Sequence, residues 1–97
     1  MASPFGLAFD TAGNLYVSNG TGGPTHTGSV LKFAPDGVGS MFADTGLDFP
    51  FGLAFDRAGN LYVSNYNSNT IEEFSPTGED LGVFAYHWRE PALYGDV

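Results

Sequence analysis

The feature that most constrains this chain is an internal repeat. Residues 4–19 read PFGLAFDTAGNLYVSN and residues 50–65 read PFGLAFDRAGNLYVSN, so the two segments differ only at Thr11 and Arg57. Repeats with periods of this length are typical of proteins in which each unit buries its apolar faces against its neighbours. The chain is therefore expected to fold as two copies of one small unit. The near-identity indicates either a recent duplication or a designed sequence.

The second halves of the two units match more loosely. Residues 30–37 (VLKFAPDG) pair with residues 71–78 (IEEFSPTG), and residues 41–43 (MFA) pair with residues 83–85 (VFA). The first unit is longer because residues 20–29, GTGGPTHTGS, form a Gly- and Thr-rich loop. Long loops on a rigid scaffold often carry binding residues, so Gly20–Gly28 within this stretch is the best candidate for a contact loop.

These correspondences divide the chain into three parts. The first unit is predicted at residues 1–47, the second at residues 48–86, and a tail at residues 87–97. The tail carries a Pro at the spacing that would begin another repeat, but the residues after it do not continue the FGLAFD pattern. It is either a truncated repeat start or a separate device, such as a latch against a neighbouring blade.

Each unit contains four short apolar runs separated by turn residues, which is typical of β-strands joined by hairpins. Asp10 and Asp56 each begin a D-x-A-G-N turn and are predicted to stabilise it rather than to bind calcium, because the intervening positions lack ligands. No segment shows the 3.6-residue period of a capped helix. The predicted strands are 5–9, 15–18, 29–34 and 40–43 in the first unit, and 51–55, 61–64, 70–75 and 81–85 in the second.

The first strand of each unit alternates bulky and small residues. Phe5, Leu7 and Phe9 share one face, while Gly6 and Ala8 share the other. Neither face is polar, so both are expected to be covered by neighbouring units. The third strand is more polar, and its Glu72-Glu73 pair is expected on a solvated face. This gradient from a buried first strand to a wetter outer strand suits a propeller blade.

The pattern P-x-G-L-A-F-D-x-x-G-N-L-Y-V-S-N, followed by T-I-x-x-F-x-P-x-G, resembles the NHL repeat over residues 4–43 and 50–85. The resemblance implies an all-β fold built of four-stranded antiparallel blades, six of which usually close into a ring. NHL propellers typically bind proteins, peptides or other ligands on one face, and some related propellers are enzymes.

Two blades alone would leave open strand edges and two apolar faces in water. Three chains could close a six-bladed ring, the chain could be a piece of a longer propeller, or it could be an engineered unit that self-assembles. The leading expectation is a homotrimer of two-blade chains. Its partners would be copies of itself, with a protein or small ligand at the rim.

The repeat suggests two sets of contact residues. The inter-blade set comprises the bulky positions of the first strands and the tail tryptophan: Phe5, Leu7, Phe9, Phe51, Leu53, Phe55 and Trp88. The rim set comprises polar and aromatic positions after the second strand of each unit, which would lie at one end of a ring: Asn19, Thr21, Thr25, His26, Asn65, Tyr66 and Asn67.

The amino-acid composition limits the classes of partner that are expected. Asp and Glu number 11 against 3 Lys and Arg, for a net charge of -8. Nucleic acid and anionic membranes are therefore not expected as partners, because both attract clustered basic residues. There is no Cys, which excludes disulfides and thiolate metal sites. No run of apolar residues is long enough to span a bilayer, and no secretory leader is expected. The compartment is left open.

The function predicted from these observations is a non-catalytic scaffold or binding module, with no enzymatic activity, catalytic residues, metal or cofactor. The alternative is a metal-dependent lactonase- or lyase-like propeller enzyme. Gluconolactonase-like propellers use an Asn in a P-N-G-L segment as a metal ligand. Here the corresponding segments are Pro4-Phe5-Gly6-Leu7 and Pro50-Phe51-Gly52-Leu53, and Phe cannot ligate a metal. This departure counts against the lactonase reading.

Overall fold

The computed structural model describes residues 4–20 and 28–86, which form eight β-strands in two sheets. Each sheet is a four-stranded antiparallel meander, in the orders β1-β2-β3-β4 and β5-β6-β7-β8. The strands are β1 (Pro4–Phe9), β2 (Leu15–Asn19), β3 (Ser29–Phe33), β4 (Gly39–Ala43), β5 (Pro50–Phe55), β6 (Leu61–Asn65), β7 (Thr70–Phe74) and β8 (Asp80–Tyr86).

The prediction of an all-β chain with two four-stranded antiparallel blades is confirmed. Every predicted strand is present, with each end within one residue of its predicted position. The sheet of β1–β4 is called blade 1 below and the sheet of β5–β8 blade 2. The predicted boundaries at residues 47 and 86 stay a prediction, and the tail from residue 87 lies outside the described residues.

The D-x-A-G-N turns fold locally because their Asp side chains replace missing backbone partners. Asp10 Oδ1 accepts hydrogen bonds from Ala12 N at 3.0 Å and Asn14 N at 2.9 Å. Its Oδ2 accepts from Asn14 Nδ2 at 2.9 Å and Tyr16 Oη at 3.1 Å. Gly13 completes the turn at a φ of 90°, which a residue without a Cβ adopts readily. The Asp10 carboxylate therefore stabilises the turn between β1 and β2.

The core lies between the blades. One face of β2 in blade 1 packs against the face of blade 2 that carries Leu61 and Val63. Tyr16, which is buried, stands at its centre: its ring meets Phe55 at a centroid distance of 4.8 Å and Phe42 at 5.0 Å, both edge to face. Aromatic pairs in this geometry add stabilisation to the burial of their area.

The first strands of the two blades lie side by side, and Gly6 allows this approach. A Cβ at Gly6 would clash with the main-chain oxygen of Phe51. The register of β1 shifts at this point, and Gly6 N donates to Ser18 Oγ at 2.8 Å. Ser18 Oγ in turn donates to Phe51 O at 2.9 Å, so one buried hydroxyl ties the two blades together.

One expectation about the third strand is wrong. Glu72 was expected on a solvated face beside Glu73, but its side chain is only 5% exposed. The two residues point to opposite faces of β7, because side chains alternate along a strand. Glu72 faces the same side as Val63, its cross-strand partner, and so lies against blade 1 and the connection between the blades.

Replacing Gly6 by Ala is expected to separate the two blades. The added methyl group has no room against Phe51 O, and overpacking of this kind costs about 1–3 kcal/mol. Urea unfolding of the variant, at a concentration where the chain is monomeric, measures this loss. Gly52→Ala is the matched control, because a Cβ there meets only Ser64 Oγ, at 3.1 Å. Equal losses in the two variants under these conditions would contradict the account.

Candidate functional site at the two open blade faces

Blade 1 leaves exposed the face whose counterpart in blade 2 is buried. Leu7 is 65% exposed and Phe9 is 67% exposed. Their repeat counterparts, Leu53 and Phe55, are partly buried and pack against the core between the blades. The predicted inter-blade role of Leu53 and Phe55 therefore has a contact within the chain, whereas Leu7 and Phe9 have no covering blade among the described residues. We call this surface of blade 1 the leading face.

Blade 2 leaves exposed the opposite face. Phe84 is 62% exposed, and its ring meets Tyr62 edge to face at 4.9 Å and 76°. In blade 1 the corresponding pair, Tyr16 and Phe42, meets at 5.0 Å and 87°, and Phe55 is seated on Tyr16. The aromatic pair that receives Phe55 inside the chain is thus repeated, uncovered, on blade 2. We call this surface the trailing face.

The polar contact between blades is also repeated on the trailing face. Gly52 N donates to Ser64 Oγ at 2.8 Å, the same distance that joins Gly6 N to Ser18 Oγ. Within the described part of the chain, Ser64 makes no counterpart of the bond that Ser18 donates to Phe51 O. The Ser64 hydroxyl on the trailing face thus occupies the position of Ser18, without a main-chain acceptor like Phe51 O among the described residues.

Shallow depressions lie on both open faces. One of about 270 Å³ on the trailing face is lined by Gly52, Leu53, Ala54, Tyr62, Ser64 and Ile71. One of about 480 Å³ on the leading face is lined by Phe9, Gly13, Leu15, Phe33, Ala34, Pro35 and Gly37. Their linings are mainly apolar, which suits a protein surface more than a charged substrate.

A cluster of four aromatic rings occupies the end of the blades where β1 and β5 begin. Phe5 meets Phe49 at 5.3 Å and Phe51 at 4.9 Å, and Tyr66 meets Phe49 at 5.9 Å and Phe51 at 6.1 Å. Phe5, Phe51 and Tyr66 are exposed. Sequence reasoning assigned Phe5 and Phe51 to inter-blade packing and missed Phe49, since a Phe in an irregular connection carries no periodic signal.

The remaining rim residues lie close to the connection between the blades. Asn65 is buried and hydrogen-bonded to that connection, and Asn67 N donates to Asp48 O at 3.2 Å. Asn19 is buried at the equivalent corner of blade 1. Three rim residues (Thr21, Thr25 and His26) and one inter-blade residue (Trp88) lie outside the described residues.

Hydrogen bonds lower the pKa of the Asp10 carboxyl group. Desolvation acts to raise its pKa, but the bonds from Asn14, Tyr16 and Ala12 outweigh that effect and lower it. Burial, together with the bond to Asp10, raises the pKa of Tyr16 to about 12.

No group of three or more His, Asp or Glu side chains that could hold a metal ion occurs among the described residues. In the same part of the chain no helix is long and apolar enough to cross a bilayer.

Comparison of the fold with solved structures places it among β-propellers. A chain in the crystal structure of the nidogen/laminin complex superposes with a TM-score of 0.67 and 20% identity, over 79% of this chain and 28% of that chain. Virginiamycin B lyase from Staphylococcus aureus superposes with a TM-score of 0.67 and 14% identity, over 81% of this chain and 26% of that chain. This chain is two β-propeller blades.

The matched propeller chains are longer than this chain. The two blades span about a quarter of the length of the propeller chains that they match. A gluconolactonase from Xanthomonas campestris aligns over 88% of this chain and 48% of that chain at 15% identity, with a TM-score of only 0.46. No protein-family model matches the sequence, and no curated protein matches it. The two four-stranded antiparallel blades are consistent with the NHL-like architecture implied by the sequence.

The expectation of no enzymatic activity is wrong as an exclusion drawn from this fold, because the fold also occurs in an enzyme. A propeller with the same blade architecture, virginiamycin B lyase, is an enzyme. The expectation rested on the lack of a reactive set of residues in one chain. A complete ring can combine residues from several blades at its channel, so a two-blade chain displays only part of any such site.

The pKa of one buried carboxyl group departs strongly from its ordinary value. Burial, with a hydrogen bond and charge repulsion from Asp80, raises the pKa of Glu72 from 4.5 to about 8. A Cβ at Gly46 would clash with both carboxyl groups, so the pair lies against the connection between the blades. In blade 1, Leu31 stands at the position of Glu72.

This shift makes the stability depend on pH in a defined direction. The folded chain keeps the Glu72 proton between pH 4.5 and about 8, whereas the unfolded chain has already lost it. The contribution of Glu72 to stability is therefore fully present at or below pH 4.5 and is lost as the pH rises towards 8. Replacing Glu72 with Leu, as in blade 1, is expected to stabilise the chain by roughly 1–3 kcal/mol at pH 9 and less at pH 5.

Urea unfolding of the Glu72→Leu variant and the unmodified chain at pH 5 and pH 9 measures this effect. Glu73→Leu is the control, because Glu73 lies on the opposite face of β7, where its carboxylate accepts a hydrogen bond from Tyr62 Oη at 3.2 Å. The control is expected to keep the loss of stability at high pH. A loss of the same size in Glu72→Leu would show that another group causes it.

Proposed function

We propose that this chain is a two-blade module that closes a β-propeller ring by associating head to tail with copies of itself, and that the closed ring binds a ligand at its rim. Three chains would supply the six blades that the NHL resemblance implies. The observation that carries the proposal is that the chain's two open faces repeat the two halves of its own internal interface.

The aromatic contact supports this association. Inside the chain, Phe55 is seated on the ring of Tyr16. The counterpart of Phe55 is Phe9, exposed on the leading face, and the counterpart of Tyr16 is Tyr62, on the trailing face with Phe84. A copy that docks its leading face on the trailing face of another would repeat a contact that the fold already makes.

The polar contact supports the same docking. Ser18 joins Gly6 N of its own blade to Phe51 O of the next. Ser64 already accepts from Gly52 N, and the counterpart of Phe51 O is the main-chain oxygen of Phe5. In the docked pair, Ser64 of one copy would donate to Phe5 O of the next.

The two faces differ from each other, so the contact is heterologous. Repeated contacts of this kind generate a closed ring when the rotation between subunits permits it. Blades of a propeller are related by a rotation about a common axis, which favours closure over an open filament. Covering two apolar faces also removes their exposed aromatic and aliphatic surface from water, which drives the association.

The chain is expected to have a solution mass near three times its own mass of 10.3 kDa. Light scattering on a sizing column measures it across a range of concentrations. Gly52→Ala, expected to disturb the monomer less than Gly6→Ala does, should lower the mass, because in the ring its methyl group would meet Phe5 O of the next copy. A monomer at every concentration would overturn the proposal and indicate a fragment of a longer propeller.

Mixing two blocked variants tests the head-to-tail geometry. Phe9→Lys blocks only the leading face and Phe84→Lys blocks only the trailing face, so each variant alone is expected to be monomeric. An equimolar mixture is expected to give a species of about twice the chain mass, because one intact pair of faces remains. If the mixture stays monomeric while the unmodified chain assembles, the contact does not join these two faces.

The aromatic cluster supports ligand binding at the rim. Phe5, Phe51 and Tyr66 are exposed beside one another at the end of the blades where β1 and β5 begin. Exposed aromatic groups of this kind are enriched where proteins bind partners, because the rings bury large areas at low entropy cost. Repeated in each chain of a ring, the cluster would form an aromatic surface around one end of the channel.

Titration with indole, as a minimal aromatic probe, tests the cluster. We expect millimolar indole to shift the backbone amide NMR signals of Phe49 and Tyr66, and Tyr66→Ala to reduce the shifts at Phe49 by more than half. Tyr86→Ala is the control, since Tyr86 is an exposed tyrosine that forms no part of the cluster. Equal shifts in both variants would contradict a binding role for Tyr66.

A further inference from the structure

Asn65 fastens the connection between the two blades. Its Nδ2 donates to Gly46 O at 2.9 Å, and its Oδ1 accepts from Asp48 N at 3.0 Å. The side chain also donates to Thr70 Oγ1 at 3.3 Å. Leu47, between the two bonded residues, is buried. The Asn65 side-chain amide thus hydrogen-bonds to the main chain immediately before and after Leu47, shortly before β5 begins.

Asn19 occupies the same corner of blade 1, where the described residues include no such stretch. It is only 3% exposed, and its Nδ2 donates to Ser29 Oγ at 3.5 Å, the counterpart of the bond to Thr70. Its Oδ1 is buried and accepts no hydrogen bond from the described residues. A buried amide oxygen without a hydrogen-bond donor lowers stability by about 1–3 kcal/mol. A donor from another segment of main chain would therefore stabilise this corner of blade 1.

The geometry points to a main-chain segment of a second copy as that donor. In blade 2 the segment held by Asn65 follows β4, the last strand of the preceding blade. For blade 1 of a docked copy, the preceding blade is blade 2 of its neighbour, whose last strand is β8. We propose that Asn19 binds the main chain of residues 87–90 of the neighbouring copy. This inference rests on the proposed self-association and names the part of the tail that completes it.

The sequence after β8 suits this position. Pro91 follows β8 as Pro50 follows β4, and Trp88 stands three residues before Pro91 as the buried Leu47 stands three residues before Pro50. An apolar side chain is therefore available for the place that Leu47 fills between the blades. The tail would fasten the ring through one amide and one large apolar side chain.

Three changes test the proposal: Asn19→Ala, Asn65→Ala and deletion of residues 87–97. The association constant comes from light scattering over a concentration series, and monomer stability comes from urea unfolding of dilute samples. Asn19→Ala is expected to weaken association roughly tenfold to a hundredfold, the loss of two buried hydrogen bonds, without lowering monomer stability. Asn65→Ala is expected to lower monomer stability, because its partners lie within the chain.

Combining Asn19→Ala with the tail deletion provides the decisive measurement. If the tail acts through Asn19, the double variant should associate no more weakly than the deletion alone, because the deletion already removes the partner of Asn19. Additive losses would overturn the proposal. A loss of association on removing residues 1–3, with none on removing the tail, would overturn it in favour of the chain's own first residues.

The outcomes also separate this inference from the proposed function. If the unmodified chain assembles and Asn19→Ala assembles equally well, the ring stands and the role of Asn19 is refuted. If the unmodified chain is monomeric at every concentration, both proposals fail together. A synthetic peptide of residues 86–97 gives an independent reading: it should bind the tail-deleted chain and lose most of that affinity for the tail-deleted Asn19→Ala variant.

Discussion

The structure depends on covering both faces of a thin β-sheet. Each four-stranded sheet carries apolar side chains on both sides, and each side is stabilised when a neighbouring layer covers it. Inside the chain this requirement is met once, where Phe55 packs on Tyr16 and the Ser18 hydroxyl bridges Gly6 and Phe51. Among the described residues, nothing covers the outer face of each blade. These two open faces repeat the aromatic residues of the internal contact.

The near-identity of the two repeats turns this constraint into a possible mode of assembly. Because both units carry the same aromatic pair and the same Gly–Ser contact, the leading face of one chain matches the trailing face of another. Differences between the repeats then become informative. Glu72 replaces Leu31 at a buried position and introduces a carboxyl group with a raised pKa beside Asp80. Asn19 has the same side-chain amide as Asn65 but, within residues 4–20 and 28–86, not the main-chain partners of Asn65.

The propeller architecture also bears on function. One of the structures that shares the fold is a lyase, so blade repetition does not exclude catalysis. In a ring, the residues nearest the channel come from the first strand and the corners of every blade. The exposed aromatic cluster lies at one end of β1 and β5, where the proposed ring would place its ligand. Its members arise from two strands, a turn and the connection between blades.

The sequence by itself determined the strands, their turns and the pairing of the repeats. Alternating apolar residues, the Asp of each D-x-A-G-N turn and the Gly residues act over short distances, so their effects can be predicted locally. Only the tertiary structure decided which face of each blade is covered, since that depends on a neighbour. It placed Glu72 in the interior and packed Phe49 against the rings of Phe5 and Tyr66. It also left the side-chain amide oxygen of Asn19 without a donor among the described residues. These features arise where one blade meets another, and a local sequence pattern does not specify which surfaces meet.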